Sequence, residues 1–127
     1  MSYLLDTNTV INFLGATMPD YSMKVMNNIL DKESLISIIT KMETLGYNFK
    51  SKDEQFTMEY FVEGSTVLQI NDDIVNKTIH IRKTYKLKIP DAIIAATALV
   101  YDLTLITRNT SDFADIQGLK VINPFLF

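Results

Sequence analysis

Short runs of β-branched and aliphatic residues alternate with helical patterns along the whole chain, and that alternation constrains the fold more than any other feature. Ser2 to Leu5, Leu35 to Ile39, Thr66 to Ile70, Leu103 to Ile106 and Leu119 to Ile122 read as strands. Leu35 to Ile39 reads as a buried strand, as a covered parallel sheet requires of its inner strands. Between them, Val10, Ile11, Phe13 and Leu14 mark a helix that Gly15 stops, and Met23, Met26, Ile29 and Leu30 mark another over Tyr21 to Leu30. Thr40 is expected to cap a helix whose Met42, Leu45 and Phe49 face the core, with Glu43 on another side. Gln55 to Val62 forms a further helix, and Asn71 or Asp72 caps one marked by Ile74, Thr78, Ile81 and Tyr85. Pro90 is placed at a first helical position, opening the small-residue helix from Asp91 to Val100. These readings predict one α/β domain over residues 1–127 with a mainly parallel central sheet.

Composition removes several chemistries. There is no cysteine, which excludes a disulfide scaffold, a thiol nucleophile and thiolate metal sites. The single histidine, His80, excludes a site needing two imidazoles from one chain, and it reads as a helix residue rather than a catalytic base. With a net charge of −3, the chain is not built to bind nucleic acid through bulk positive charge. Asp6 interrupts the N-terminal apolar run before a signal peptide could form, and no run is long enough for a membrane span. The expectation is a soluble, cytoplasmic protein.

Four acidic residues fall at places where a parallel sheet would gather them. Asp6 ends the first strand, Glu43 and Asp91 lie in first turns of helices, and Asp112 follows the strand Leu103 to Ile106. Each also has an ordinary reading. Asp6 is a natural helix N-cap, Thr40-Lys-Met-Glu43 fits a capping box, Asp91 complements a helix dipole, and Asp112 can cap a turn before Phe113. Converging carboxylates repel one another, and a hard divalent ion such as Mg²⁺ or Mn²⁺ resolves that repulsion. Two such ions about 4 Å apart can activate water and stabilise a leaving oxygen in phosphodiester hydrolysis. A receiver domain wants an acidic pair and a late lysine, and an aspartyl phosphatase wants Asp-x-Asp where this chain has Asn8.

Leu4-Leu5-Asp6-Thr7-Asn8, Ile38-Ile39-Thr40-Lys-Met-Glu43, Pro90-Asp91-Ala-Ile-Ile-Ala-Ala-Thr-Ala and Leu105-Ile106-Thr107-Arg108-Asn109-Thr-Ser-Asp112-Phe113, with Val121-Ile122-Asn123-Pro124 at the end, resemble the PIN domain family. Within that family they resemble the VapC toxins of toxin–antitoxin pairs. The resemblance implies a three-layer α/β/α fold and an Mg²⁺-dependent endoribonuclease. By position, Asp6, Glu43 and Asp91 match metal-binding acids. The fourth acid belongs to either the Asn109 or the Asp112 position, so Asp112 is the candidate and Asn109 an oxygen donor or water holder. Thr7 and Asn8 match a polar pair supporting the first aspartate, and Thr107 a hydroxyl near the metal. The departure is mild: Thr44 stands where an aliphatic residue is frequent. A homodimer and an antitoxin lying over the acidic site are further implications. Outside the resemblance, Arg108 is expected to meet substrate phosphate or form a surface ion pair. Lys83 and Lys86, in the densest basic segment, are either RNA-backbone contacts or a solvated helix face. The competing function is a non-catalytic PIN-like module that binds RNA or protein.

Overall fold

Leu4 and Leu5 are both fully buried, yet they belong to different cores, and that divergence builds the layers. Successive strand side chains point to opposite faces of a sheet. In the computed structural model, which describes residues 1–127, the central strands are β1 (Tyr3–Leu5), β2 (Leu35–Ser37) and β4 (Thr104–Ile106). On one face Leu4, Leu35 and Leu105 pack with Ile74 and Ile81 of α5 (Asp72–Thr84) and with Ala92, Ile94, Ala95 and Ala98 of α6 (Ile89–Val100). On the other, Leu5, Ile36 and Ile106 pack with Val10 of α1 (Thr7–Leu14), Met26 of α2 (Asp20–Lys32), and Met58 and Val62 of α4 (Lys52–Glu63). Helices therefore cover both faces of the sheet. The alanines of α6 are fully buried, which lets that helix lie close to its neighbours.

The sheet is completed by β3 (Thr66–Leu68) and β5 (Val121–Ile122). Its order is β3-β2-β1-β4-β5, with every pairing parallel. From β1 the chain steps outward through β2 and β3, then returns to place β4 on the other side of β1. The order reverses there, so a crevice opens beyond the carboxyl ends of β1 and β4, where open α/β sheets bind ligands. The remaining elements are α3 (Ile38–Leu45), the single-turn α7 (Thr110–Phe113) and a closing 3₁₀ turn at Pro124–Leu126. No helix is long and apolar enough to cross a membrane.

The largest departure from the sequence expectation lies at the second strand. It ends at Ser37, because the Ser37 hydroxyl accepts from the Ile39 N–H at 3.1 Å and caps α3. Thr40 is therefore inside the helix, and the capping box with Glu43 does not form. Met42 and Leu45 face solvent, at 56% and 39% exposure. The buried face is Ile39, Thr40 and Thr44, with the Thr44 hydroxyl satisfied by the Thr40 carbonyl at 2.7 Å. Phe49 lies beyond the helix and is half-buried against the second core. Smaller shifts follow local chemistry. Ser51 caps α4 and starts it earlier than expected, while Lys88 takes the cap of α6 and moves Pro90 to the second helical position. β3 stops at Leu68 and β5 begins at Val121.

Leu105→Ala opens a cavity under the central strand and should cost about 2–5 kcal/mol, whereas Ile79→Ala on the exposed face of α5 should stay within about 0.5 kcal/mol. Urea denaturation of the two variants beside wild type measures the difference.

Candidate active site

Asp6 leaves β1 at the crevice and turns at once into α1. Its backbone N–H donates to the Ile106 carbonyl at 3.2 Å, and its Oδ1 accepts from the Thr9 N–H at 2.8 Å as the N-cap of α1. The buried Thr9 hydroxyl donates to that same Ile106 carbonyl at 2.9 Å. The turn carrying Asp6 is thereby tied to the end of β4. Asp6 is 8% exposed, so its charge sits at the floor of the cleft.

Glu43 reaches the cleft from the second turn of α3, not the first, because Ser37 starts the helix early. Its Oε1 accepts from the Thr7 hydroxyl at 2.6 Å. The Thr7 oxygen also lies 3.1 Å from the Thr40 hydroxyl, so α1 holds a side chain of α3 in place. Asp112 sits in α7, where the Asn109 amide donates to its Oδ2 at 2.6 Å. Asn109 is itself held by its backbone N–H on the Thr107 hydroxyl at 3.1 Å. The buried Phe113 ring, next in sequence to Asp112, anchors that turn in the first core.

Asp91 is where these groups meet. It lies half-buried in the first turn of α6, and its carboxyl is held above the usual carboxylate range. Burial is the larger cause; the negative charges of Glu43, Asp6 and Asp112 add to it in that order, and Lys88 offsets them only in part. One carboxyl thus senses the other three across four different elements. As arranged, no group of three closes on a common point as a finished coordination shell would. The donor set is nevertheless all oxygen, self-repelling and incompletely neutralised, and that chemistry fits a hard divalent cation.

The other sequence-predicted residues separate. Thr7 orients Glu43 rather than Asp6, and Thr9, which the sequence reading passed over, holds Asp6 instead. Asp-x-x-Thr is N-cap spacing and signals that bond. Asn8 is exposed and lines a polar recess with Asn12, Arg108 and Asn109. Thr107 is fully buried and shapes the turn before Asn109. The Arg108 guanidinium stacks on the Phe125 ring, 4.0 Å from its centroid. Lys83 and Lys86 are exposed at the end of α5 and in the segment leading to α6, while their neighbour Arg82 is spent on the Leu87 carbonyl. His80 is exposed on α5, away from the acids.

The PIN domain family model matches residues 3–119 of the chain. A toxin–antitoxin complex from Klebsiella pneumoniae contains a chain 36% identical to this one, superposing with a TM-score of 0.76 over 97% of this chain and 98% of that one. The DNA-bound VapBC complex of Salmonella typhimurium matches at 26% identity and a TM-score of 0.80, over 98% of each chain. VapBC2 from Rickettsia felis, bound to a promoter DNA fragment, has the same fold at 23% identity and a TM-score of 0.81, covering 97% of this chain and 98% of that one. No curated protein sequence matches the chain.

The raised Asp91 carboxyl gives a signed pH dependence. The metal-free folded state holds the Asp91 proton more tightly than the unfolded state does, so stability falls as pH rises from the usual carboxylate value through the raised one. Asp91→Asn removes that loss. In chelator its thermal midpoint should exceed that of wild type at neutral pH, and the advantage should vanish in acid. Melts of both proteins across that range test the sign.

Proposed function

The chain belongs to the PIN domain family, and from that premise we propose that it is a metal-dependent endoribonuclease, the toxin of a type II toxin–antitoxin pair acting in the cytoplasm. The observation that carries this reading is the meeting of Asp6, Glu43 and Asp112 on the raised carboxyl of Asp91, at the switch point of the sheet. An acidic cleft without a metal would repel the phosphodiester it has to cut. Asp6, Asp91 and Asp112 would hold Mg²⁺ or Mn²⁺, with Glu43 as a further ligand or as the group that orients water. When bound, the ion supplies a water of lowered pKa and neutralises charge building on the phosphate.

The chain's own residues do the positioning. Asp6, Glu43 and Asp112 each have one oxygen held by a protein donor, Thr9, Thr7 and Asn109 respectively. Such outer partners fix the direction in which a ligand presents its remaining oxygen. Glu43, exposed where Asp6 is buried, is placed to accept a proton from attacking water. Attack by water leaves a 5′-phosphate and a 3′-hydroxyl. Lys83 and Lys86 meet the RNA backbone beside the cleft.

Two partners complete the reading. The Klebsiella pneumoniae, Salmonella typhimurium and Rickettsia felis neighbours were solved as toxin–antitoxin assemblies, which supports a cognate antitoxin for this chain. Ile11 of α1, Tyr47 in the segment after α3, and Phe56 and Tyr60 of α4 are exposed, leaving apolar surface for that protein or for a second copy in a homodimer.

Purified wild type should cleave total cellular RNA in Mg²⁺ and lose that activity in chelator, and Asp91→Asn should be inactive in both. Intact RNA with both proteins, together with no metal uptake by calorimetry, would point to the non-catalytic binding module. Thr7→Val should fold normally and lose roughly 10–100-fold in metal affinity or turnover, because it frees Glu43 without removing it. Products ending in a 2′,3′-cyclic phosphate would overturn the water mechanism.

A further inference from the structure

Beside the acids lies a recess of about 320 Å³ whose lining has no apolar side chain: Asn8 and Asn12 of α1, and Arg108 and Asn109 after β4. Its hydrogen-bonding faces are already partly assigned. The Thr17 hydroxyl lies 3.2 Å from both the Asn12 amide oxygen and the Asn12 backbone carbonyl, and the Asn12 NH₂ group has no protein acceptor. The Asn109 NH₂ group is committed to Asp112, which leaves its oxygen as an acceptor. The Arg108 guanidinium carbon lies over the Phe125 ring, and none of its N–H donors bonds to a protein acceptor. The Phe125 ring beneath it packs against the second core, and the Phe125 backbone N–H donates to the Asn123 side chain at 2.9 Å.

We infer that this recess binds one guanine base of the RNA strand next to the scissile bond, and that Phe125 is a positioning residue for Arg108. The inference rests on the ribonuclease reading above for its substrate class. A guanidinium fork matches the adjacent O6 and N7 acceptors of guanine, whereas adenine offers one acceptor beside a donor. The two carbonyls of uracil are separated by an N–H, so one fork does not span them. The Asn12 NH₂ adds a donor for an acceptor on the base, and the Asn109 oxygen an acceptor for a ring or exocyclic N–H. A base is also uncharged, so the neighbouring carboxylates do not repel it as they repel a phosphate. Unstacked bases of single-stranded RNA expose both of the edges such a recess would read.

The first test needs no cleavage. In metal-free buffer, guanosine, adenosine, cytidine and uridine, which carry no phosphate for the cleft acids to repel, are titrated into ¹⁵N-labelled wild type. Shifts of the Arg108 side-chain N–H and the Asn12 and Asn109 amides should appear with guanosine alone. Equal shifts with all four would mean that the recess does not read the base, and no shift at these groups would leave it empty; either overturns the inference. The second test maps the ends of a randomised RNA pool cut in Mg²⁺. Wild type should favour guanine at one fixed position from the cut. Arg108→Lys keeps the charge but loses the fork, and should lower that preference by roughly tenfold or more. Phe125→Leu should shift the preference in the same direction, and Phe125→Tyr should restore it. Guanine-specific shifts without any cleavage would sink the ribonuclease reading and leave the recess standing. Cleavage without base preference would do the reverse.

Discussion

The Ile106 carbonyl receives two donors, the Asp6 backbone N–H and the Thr9 hydroxyl, and the cleft depends on that shared acceptor. A carbonyl has two lone pairs, and at the end of a strand one of them commonly goes to water. Here both are used by the first turn of α1, so the place where β1 becomes a helix is bonded to the place where β4 becomes a loop. Asp6 on one side and Thr107, Arg108, Asn109 and Asp112 on the other are consequently carried by one rigid junction. The reversal of strand order makes the crevice. The two bonds to Ile106 keep its walls in register.

That junction brings together charges that oppose it. Asp6, Glu43, Asp91 and Asp112 descend from four separate elements, and burial at Asp91 strengthens their mutual repulsion. Neutral neighbours restrain them: Thr9 for Asp6, Thr7 for Glu43, Asn109 for Asp112. A lysine or arginine at those places would have relieved the repulsion and also cancelled the negative potential with which the cleft would attract a divalent ion. Hydroxyls and amides orient the carboxylates without neutralising them. The strain left over is paid by the cores on either face, where Leu4, Leu5, Leu105 and Ile106 are wholly buried.

Much of this was legible in the sequence because it follows from periodicity and from strand ends. The parallel sheet, the helix after each inner strand and the acids beyond β1 and β4 all come from patterns a few residues long. What escaped depended on competition between neighbours. Ser37 and Thr40 are both competent caps, and nothing local shows that Ser37 prevails and rotates α3 until Met42 and Leu45 face solvent. Thr7 bonds Glu43 across a separation of 36 residues, a distance at which spacing rules are silent. Arg108 is an exposed cation by every local measure, and its partner Phe125 emerges only when the last strand returns beside β4. The placing of the acids was thus readable, and Thr7 and Asn109 were named beside them, but which acid each of those groups holds was not.

On the proposed ribonuclease reading, the two kinds of polar side chain in the cleft would divide its work along a line of charge. Carboxylates can hold a cation and, through it, a phosphate, but every phosphodiester of an RNA strand is alike to them, so they confer no choice of sequence. Choice requires uncharged edges read by directional donors and acceptors. The carboxamides of Asn8, Asn12 and Asn109 and the in-plane donors of Arg108 are the groups of that type beside the acids. Asn109 belongs to both sets, since one end of its amide fixes Asp112 and the other faces no protein donor. A base seated against that amide would bear on the carboxylate it orients. Recognition and hydrolysis would then be coupled through a single side chain, and a strand offering the wrong base would meet a less well-aimed Asp112 as well as a poorer fit. An enzyme built this way discriminates in turnover as well as in affinity.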